Sequence, residues 1–385
     1  MNSLITKLVV LLGLGIASLL PVVIVAYLSR FDVRLASDAS ISFAYTGLVF
    51  TVLYFGQRAY LSLNFTDDFH AHLIFRLINT AIASLLVVVV SFFVDLPLFI
   101  VVFAISIKLS ESLMDLRYGY AIKSSGVENA SKEYMVIGLL RLVLFGFMFA
   151  VFSVPSIDNY IYHSISGLLF FLFILFYCTY IQDRAVKYKY KFSSYFTALG
   201  AYTPFAMSAL SSGLVTAGPR IFLVGGNDVE IQAIALSLAP LLGLLFQTVW
   251  MSNISKLNDV TFRVKKVFIF VLEVALLLVA IFVFSPVLEK MVSVFYNGIE
   301  GQELARFVEI LLASAVFFFA MALLNLLKLY RPGYEFVVHA LGVVFYYILY
   351  VLLEMSVPFS LCAASFFMLS LLFVFLMIKK RISPI

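Results

Sequence analysis

The chain has 385 residues, of which 63% are hydrophobic and only 12% charged, with a mean hydropathy of +1.09 and a formal net charge of +5. Most of a globular surface must stay wet, so this composition excludes a water-soluble domain. Two cysteines exclude a disulfide framework, and their placement gives no metal-ligand spacing. The apolar residues fall in runs of roughly 20, the length that crosses the hydrocarbon core as helix. The chain reads as an all-α polytopic membrane protein with predicted spans at 7–29, 41–63, 72–94, 96–116, 134–154, 163–182, 196–218, 229–251, 265–287, 303–327, 335–354 and 357–378.

The first run is too long for a signal peptide, lacks a small-residue cleavage site and is followed at once by another span, so it reads as a retained helix. The breaks near 117–133, 183–195 and 288–302 are too short for a separate domain. Lysine and arginine gather on one side, at Lys123, Arg184, Lys256, Lys266, Arg331 and Lys379 among others. Arg30, Arg34, Arg220, Lys290 and Arg306 fall on the other side. The positive-inside rule then places both termini in the cytoplasm. The run Lys187–Lys191 reads as a juxtamembrane anchor for anionic lipid, not as a nucleic-acid patch.

That basic break divides the spans evenly, predicting an N-terminal six-helix lobe over 1–190 and a C-terminal one over 191–385. At an offset of 190, Arg30 falls on Arg220, Asp38 on Asp228, Gln57 on Gln247 and Ser62 on Ser252. Leu116–Tyr120 echoes Tyr330–Tyr334 at the same place in the other half. The expected architecture is two pseudo-symmetric bundles around a central cavity. Pro21 and Pro204 interrupt the first span of each half, where a missing backbone donor would kink a gate helix.

Ionisable residues at membrane depth are costly and mark function. Span four carries Lys108, Glu111 and Asp115, whose spacings of three and four put them on one helical face. Arg76 in span three and Arg141 in span five add cations, while the C-terminal half answers with Glu273 and with Glu309 beside Arg306. A wall formed by Arg76, Lys108 and Arg141 suits phosphate oxygens. Glu111, Asp115 and Glu273 are candidates to take up H⁺ or Na⁺. The alternative for Lys108 and Glu111 is a mutually neutralised pair that fixes packing. The four histidines form no ligand cluster, and no phosphate loop, nucleophile elbow or metal motif is present.

With these residues in view, the chain resembles the Wzx-type O-antigen flippases, in the superfamily that also holds the MATE exporters and the lipid II flippases. The likeness rests on Arg30–Leu35 through Phe55–Arg58, on Pro219–Asp228 through Ile254–Lys256, and on Arg117–Tyr120 followed by Arg141. The chain departs from the pattern around Ser40–Ser42, where a glycine is usual. The resemblance implies a non-enzymatic flippase in the bacterial inner membrane, moving an undecaprenyl-pyrophosphate-linked oligosaccharide to the periplasmic leaflet. It implies Arg30 and Arg220 as further headgroup contacts, an ion gradient in place of a cofactor, and action as a monomer beside a polymerase and a chain-length regulator. The rivals are an O-antigen polymerase or ligase, which typically carries a long external loop, and a MATE-like drug exporter, which favours an acidic cavity.

Overall fold

In a computed structural model the chain is described over residues 2–54, 57–63, 69–94, 96–151, 157–182, 229–257, 263–296, 299–329 and 334–382, with short pieces of 202–221. The described residues are helical and contain no strand. Among the described residues ten helices are long and apolar enough to cross a membrane. In the absence of water each backbone N–H and C=O must be bonded within its own helix, which is why such a sequence has no alternative local structure.

The helices follow the predicted spans with informative differences. Helix α1 (Asn2–Ser29) runs through Pro21. Asp32 caps α2 (Val33–Leu53), its Oδ1 accepting from the N–H groups of Arg34 at 2.8 Å and Leu35 at 3.2 Å. Two described helices cover the second predicted span, α2 ending at Leu53 and α3 over Gln57–Leu63. Helix α4 covers Phe69–Phe93, α5 Leu98–Ser125, α6 Val127–Val151 and α7 Ile157–Gln182. The break predicted at 117–133 is almost wholly helix, because hydropathy reports apolarity and helices continue past the membrane surface. Only Gly126, at φ 85°, interrupts it, a left-handed backbone that glycine adopts at little cost.

Beyond the linker come α8 (Val229–Leu257), α9 (Arg263–Val283) and α10 (Ser285–Phe295). Pro286 ends the ninth predicted span early and opens α10, so the break predicted at 288–302 is half helical. Helix α11 spans Gln302–Leu324, and α12 (Tyr334–Tyr347) continues as a π-helical turn at Ile348–Leu352 before α13 (Val357–Ile382). Most of the seventh predicted span, including Pro204, lies outside the described residues.

The chain divides into two compact units. One holds Leu8–Ile24 and Asp38–Gly213, the other Met1–Lys7, Val25–Ser37 and Leu214–Ile385. In the first, α5 is the central helix, packed against α3, α4, α6 and α7. Lipid tails are as apolar as leucine, so helices associate through close packing at small residues. A Cβ at Gly13 would stand 2.6 Å from the Ser131 carbonyl oxygen, and one at Gly138 would stand 3.0 Å from Ala17 Cα, so α1 and α6 touch backbone to backbone. On α5, a Cβ at Gly119 would stand 2.8 Å from the backbone oxygen of Arg58. Gly119→Ala is therefore expected to cost about 1–3 kcal/mol, because the obstacle is backbone and cannot rotate away. A lowered melting temperature in detergent would show it, and an unchanged one would mean that α3 and α5 can separate freely. In the second unit α11 is central, against α8 and α13.

Candidate functional site

Helix α5 is 28 residues long but carries too many charges to count among the apolar spans. Its stripe of Lys108, Glu111 and Asp115 meets partners from two other helices, α3 and α6, forming two charged groups within the first unit. In the first, Glu111 accepts from two cations. Its Oε2 bonds Lys108 Nζ in a short contact, and its Oε1 bonds Arg141 Nη2 at 2.6 Å. Arg141 is 1% exposed and its Nη1 leans on the Met114 sulfur at 3.8 Å. Lys108 crosses α2 at Gly47, where a Cβ would lie 4.0 Å from its Nζ. The pair alternative for Lys108 and Glu111 is thus exceeded: the carboxylate is shared, and the group keeps one positive charge.

In the second group Asp115 bonds Arg58 Nη1 at 2.7 Å, and the Arg58 guanidinium lies 4.7 Å from the Tyr118 ring centroid. Both side chains are about a quarter exposed. Two residues further along α5, Arg117 forms a fork on Glu133 at 2.7 and 3.3 Å, and the Tyr177 hydroxyl adds a third bond to that carboxylate.

A polar hub sits just beyond the end of α2. Gln57 Oε1 accepts from Arg76 Nε at 2.7 Å, while its Nε2 donates to the His72 carbonyl at 2.8 Å and reaches the Tyr202 hydroxyl at 3.5 Å. The Tyr202 hydroxyl also meets His72 Nδ1 in a short contact. The Tyr202 ring packs edge-on to Tyr60 and Phe75 at 4.9 Å each. Arg76, fully buried, lies 3.8 Å over the Tyr54 ring.

Elsewhere Arg30 is exposed at the end of α1 and Arg220 is buried in the helical piece at 217–221. Glu273 on α9 accepts from Asn253 Nδ2 of α8 at 2.7 Å, a partner invisible in its own span. Of the sequence candidates, the structure brings Lys108, Glu111 and Arg141 into one group. It places Asp115 with Arg58 and leaves Arg30, Arg220 and Glu273 in the second unit. Arg58, Gln57, Tyr54, His72 and Tyr202 were not singled out as site residues. Arg58 had a signal in being an ionisable residue within an apolar span. Gln57 had one in its match with Gln247, although Gln247 is exposed on the unbroken α8.

Among the described residues no cluster of metal-ligating side chains occurs. The arrangement is a membrane-embedded set of charges, suited to holding an anion or to moving a proton between carboxylate and cation. A polytopic helical bundle is the class of fold it occupies, and the resemblance to solved structures makes the fold specific. The chain is similar along 98% of its length to 96% of the eukaryotic MATE transporter AtDTX14, with a TM-score of 0.64 at 11% identity. It is similar to the outward-facing form of a multidrug resistance MATE family transporter of the MOP superfamily, at a TM-score of 0.55 and 13% identity over 98% and 95% of the two chains. It is also similar to an MOP superfamily transporter from Pyrococcus furiosus, described by the reverse polarity of its binding pocket, at a TM-score of 0.56 and 12% identity over 99% and 96%. The chain therefore shares the fold of these transporters and is an all-α multi-pass membrane protein. Comparison with protein-family models and with curated proteins returns no match.

Proposed function

We propose that this protein is an ion-coupled transporter that moves an anionic lipid-linked substrate between the leaflets by alternating access. The single observation behind the substrate's charge is the group in which Lys108 and Arg141 share Glu111. A phosphoryl oxygen can take the place of the Glu111 carboxylate on the two cations. The displaced carboxylate, no longer held ionised by them, then accepts a proton, so substrate arrival and proton uptake become one event. The substrate class this fits is the undecaprenyl-pyrophosphate-linked oligosaccharide of O-antigen or capsule assembly. Arg30 and Arg220 are proposed headgroup contacts, Asp115 and Glu273 further proton or Na⁺ carriers, and Pro21 and Pro204 gate kinks between two six-helix lobes. The proposed setting is a bacterial inner membrane with both termini cytoplasmic. The proposed partners are the lipid-linked substrate, bilayer lipids, a polymerase and a chain-length regulator, and no covalent bond is made or broken.

A second reading, export of drugs, is favoured by the fold likeness to multidrug transporters and by Glu273, whose bond to Asn253 holds a carboxylate in the second unit. One experiment separates the readings: the fate of lipid-linked repeat units after deletion of the protein in its host. Units trapped on the cytoplasmic leaflet, with rescue by wild type but not by Lys108→Ala or Arg141→Ala, are expected. Normal surface polysaccharide with lost drug resistance would favour the exporter, and single unpolymerised units at the surface would indicate a polymerase.

A further inference from the structure

Helix α10 in the second unit has three different faces. It packs against α11, and Val292 is its buried side chain. A second face carries Glu289, Lys290 and Ser293, all exposed. The third is apolar and also exposed. Val287, Met291, Val294 and Phe295 fall at i, i+4, i+7 and i+8, the spacing of one helical stripe, and are each 51–59% exposed. With Pro286 and Lys290 they line a shallow depression of about 320 Å³. An exposed apolar patch rimmed by polar residues marks a surface that meets something other than water.

The course of the chain identifies what that is. Helix α9 contains the membrane span Lys266–Val283, only 17% of which is buried inside the protein, and the next span begins at Gln302 in α11. The connection between two consecutive spans lies at one surface of the bilayer. The 11 residues of α10 reach about 16 Å as helix, against a hydrocarbon core of about 30 Å, so α10 cannot cross. At the end of α9, Phe282, Val283 and Phe284 are exposed, and only Ser285 and Pro286 separate them from Val287. The lipid-facing surface of the span thus runs on to the stripe of α10. Lys290 borders that stripe, three residues after Val287 and four before Val294, whereas Glu289 lies on the opposite side of the helix. Helices that lie in the membrane interface have this pattern: apolar side chains among the acyl chains, and a lysine at the edge whose ammonium reaches the phosphates.

We propose that α10 lies flat in the membrane interface and seats a phospholipid, an acyl chain running along Val287, Met291, Val294 and Phe295 and the phosphate meeting the Lys290 ammonium. A soluble partner is disfavoured, because the spans on either side hold this helix against the bilayer. The assignment needs only the membrane-spanning fold and is independent of the transport function.

The test uses the full-length protein in phosphatidylcholine vesicles. Trp250 is the sole tryptophan, so Met291→Trp places one reporter on the stripe in a Trp250→Phe background, or as the increment over wild type where Trp250 is kept. Phe295→Trp, an aromatic exchange, repeats the reading. Lipids brominated high on the acyl chain are expected to quench either reporter about twofold, while aqueous iodide leaves it almost unchanged. Glu289→Trp should respond to iodide instead. Brominated phosphatidylglycerol should quench the stripe reporter about twofold more than brominated phosphatidylcholine at equal mole fraction, and Lys290→Gln should remove that difference. Quenching of the stripe by iodide and not by bromolipid would put α10 in water. Protection from both would mean that protein, such as a second copy of the chain, covers the stripe. Either result overturns the assignment, and equal quenching by the two headgroup classes with Lys290 intact would overturn the phosphate contact.

Discussion

Glu111→Leu is expected to destabilise the protein by about 3–5 kcal/mol, the cost of breaking a buried ion pair from one side. Arg141 would remain 1% exposed with no carboxylate against it. Lys108 suffers less, since its side chain is 22% exposed and can extend its ammonium to water or headgroups. The double variant Glu111→Leu/Arg141→Met removes both charges and fills similar volume. It should therefore recover most of the lost stability, as replacement of a buried pair by apolar groups often does. Transport should not recover with it, because the exchange between carboxylate and substrate anion needs both groups. Thermal unfolding in detergent reads the first quantity, and surface polysaccharide in the deletion host reads the second. If the double variant is stable and active, the group is structural and the transport role assigned to it is wrong. If it is as unstable as Glu111→Leu, Arg141 is not the residue that Glu111 stabilises.

The helical architecture was legible because hydropathy along a chain reports the bilayer directly. Lys108, Glu111 and Asp115 were legible as one stripe because their spacing is set by a single helix. What could not be read was anything requiring two helices to meet. Asp115 finds Arg58 across 57 positions, and Glu273 finds Asn253 across 20. One sequence holds no record of which faces touch. The end of α2 at Leu53 was missed for a related reason. Tyr54 continues the apolar and aromatic run of the span, so hydropathy does not mark that end. The offset repeat paired Gln57 with Gln247, yet Gln57 is buried and Gln247 is exposed. Polar identity between halves does not carry burial with it.

Gln57 is accordingly the position where a single substitution should reveal most about that hub. Its carboxamide accepts from Arg76 and donates to the His72 carbonyl, and it lies 3.5 Å from the Tyr202 hydroxyl. Gln57→Leu keeps the bulk but strips the Nε hydrogen bond from a buried guanidinium and leaves the His72 carbonyl short of a donor. A loss of about 3 kcal/mol is expected, read as a lowered melting temperature. Gln57→Glu has the opposite consequence at Arg76, because a carboxylate there stands directly against the guanidinium. That variant should fold, lose the bond to the His72 carbonyl, and melt above Gln57→Leu. A melting temperature at or below that of Gln57→Leu would mean that the Arg76 charge gains nothing from a carboxylate at this position.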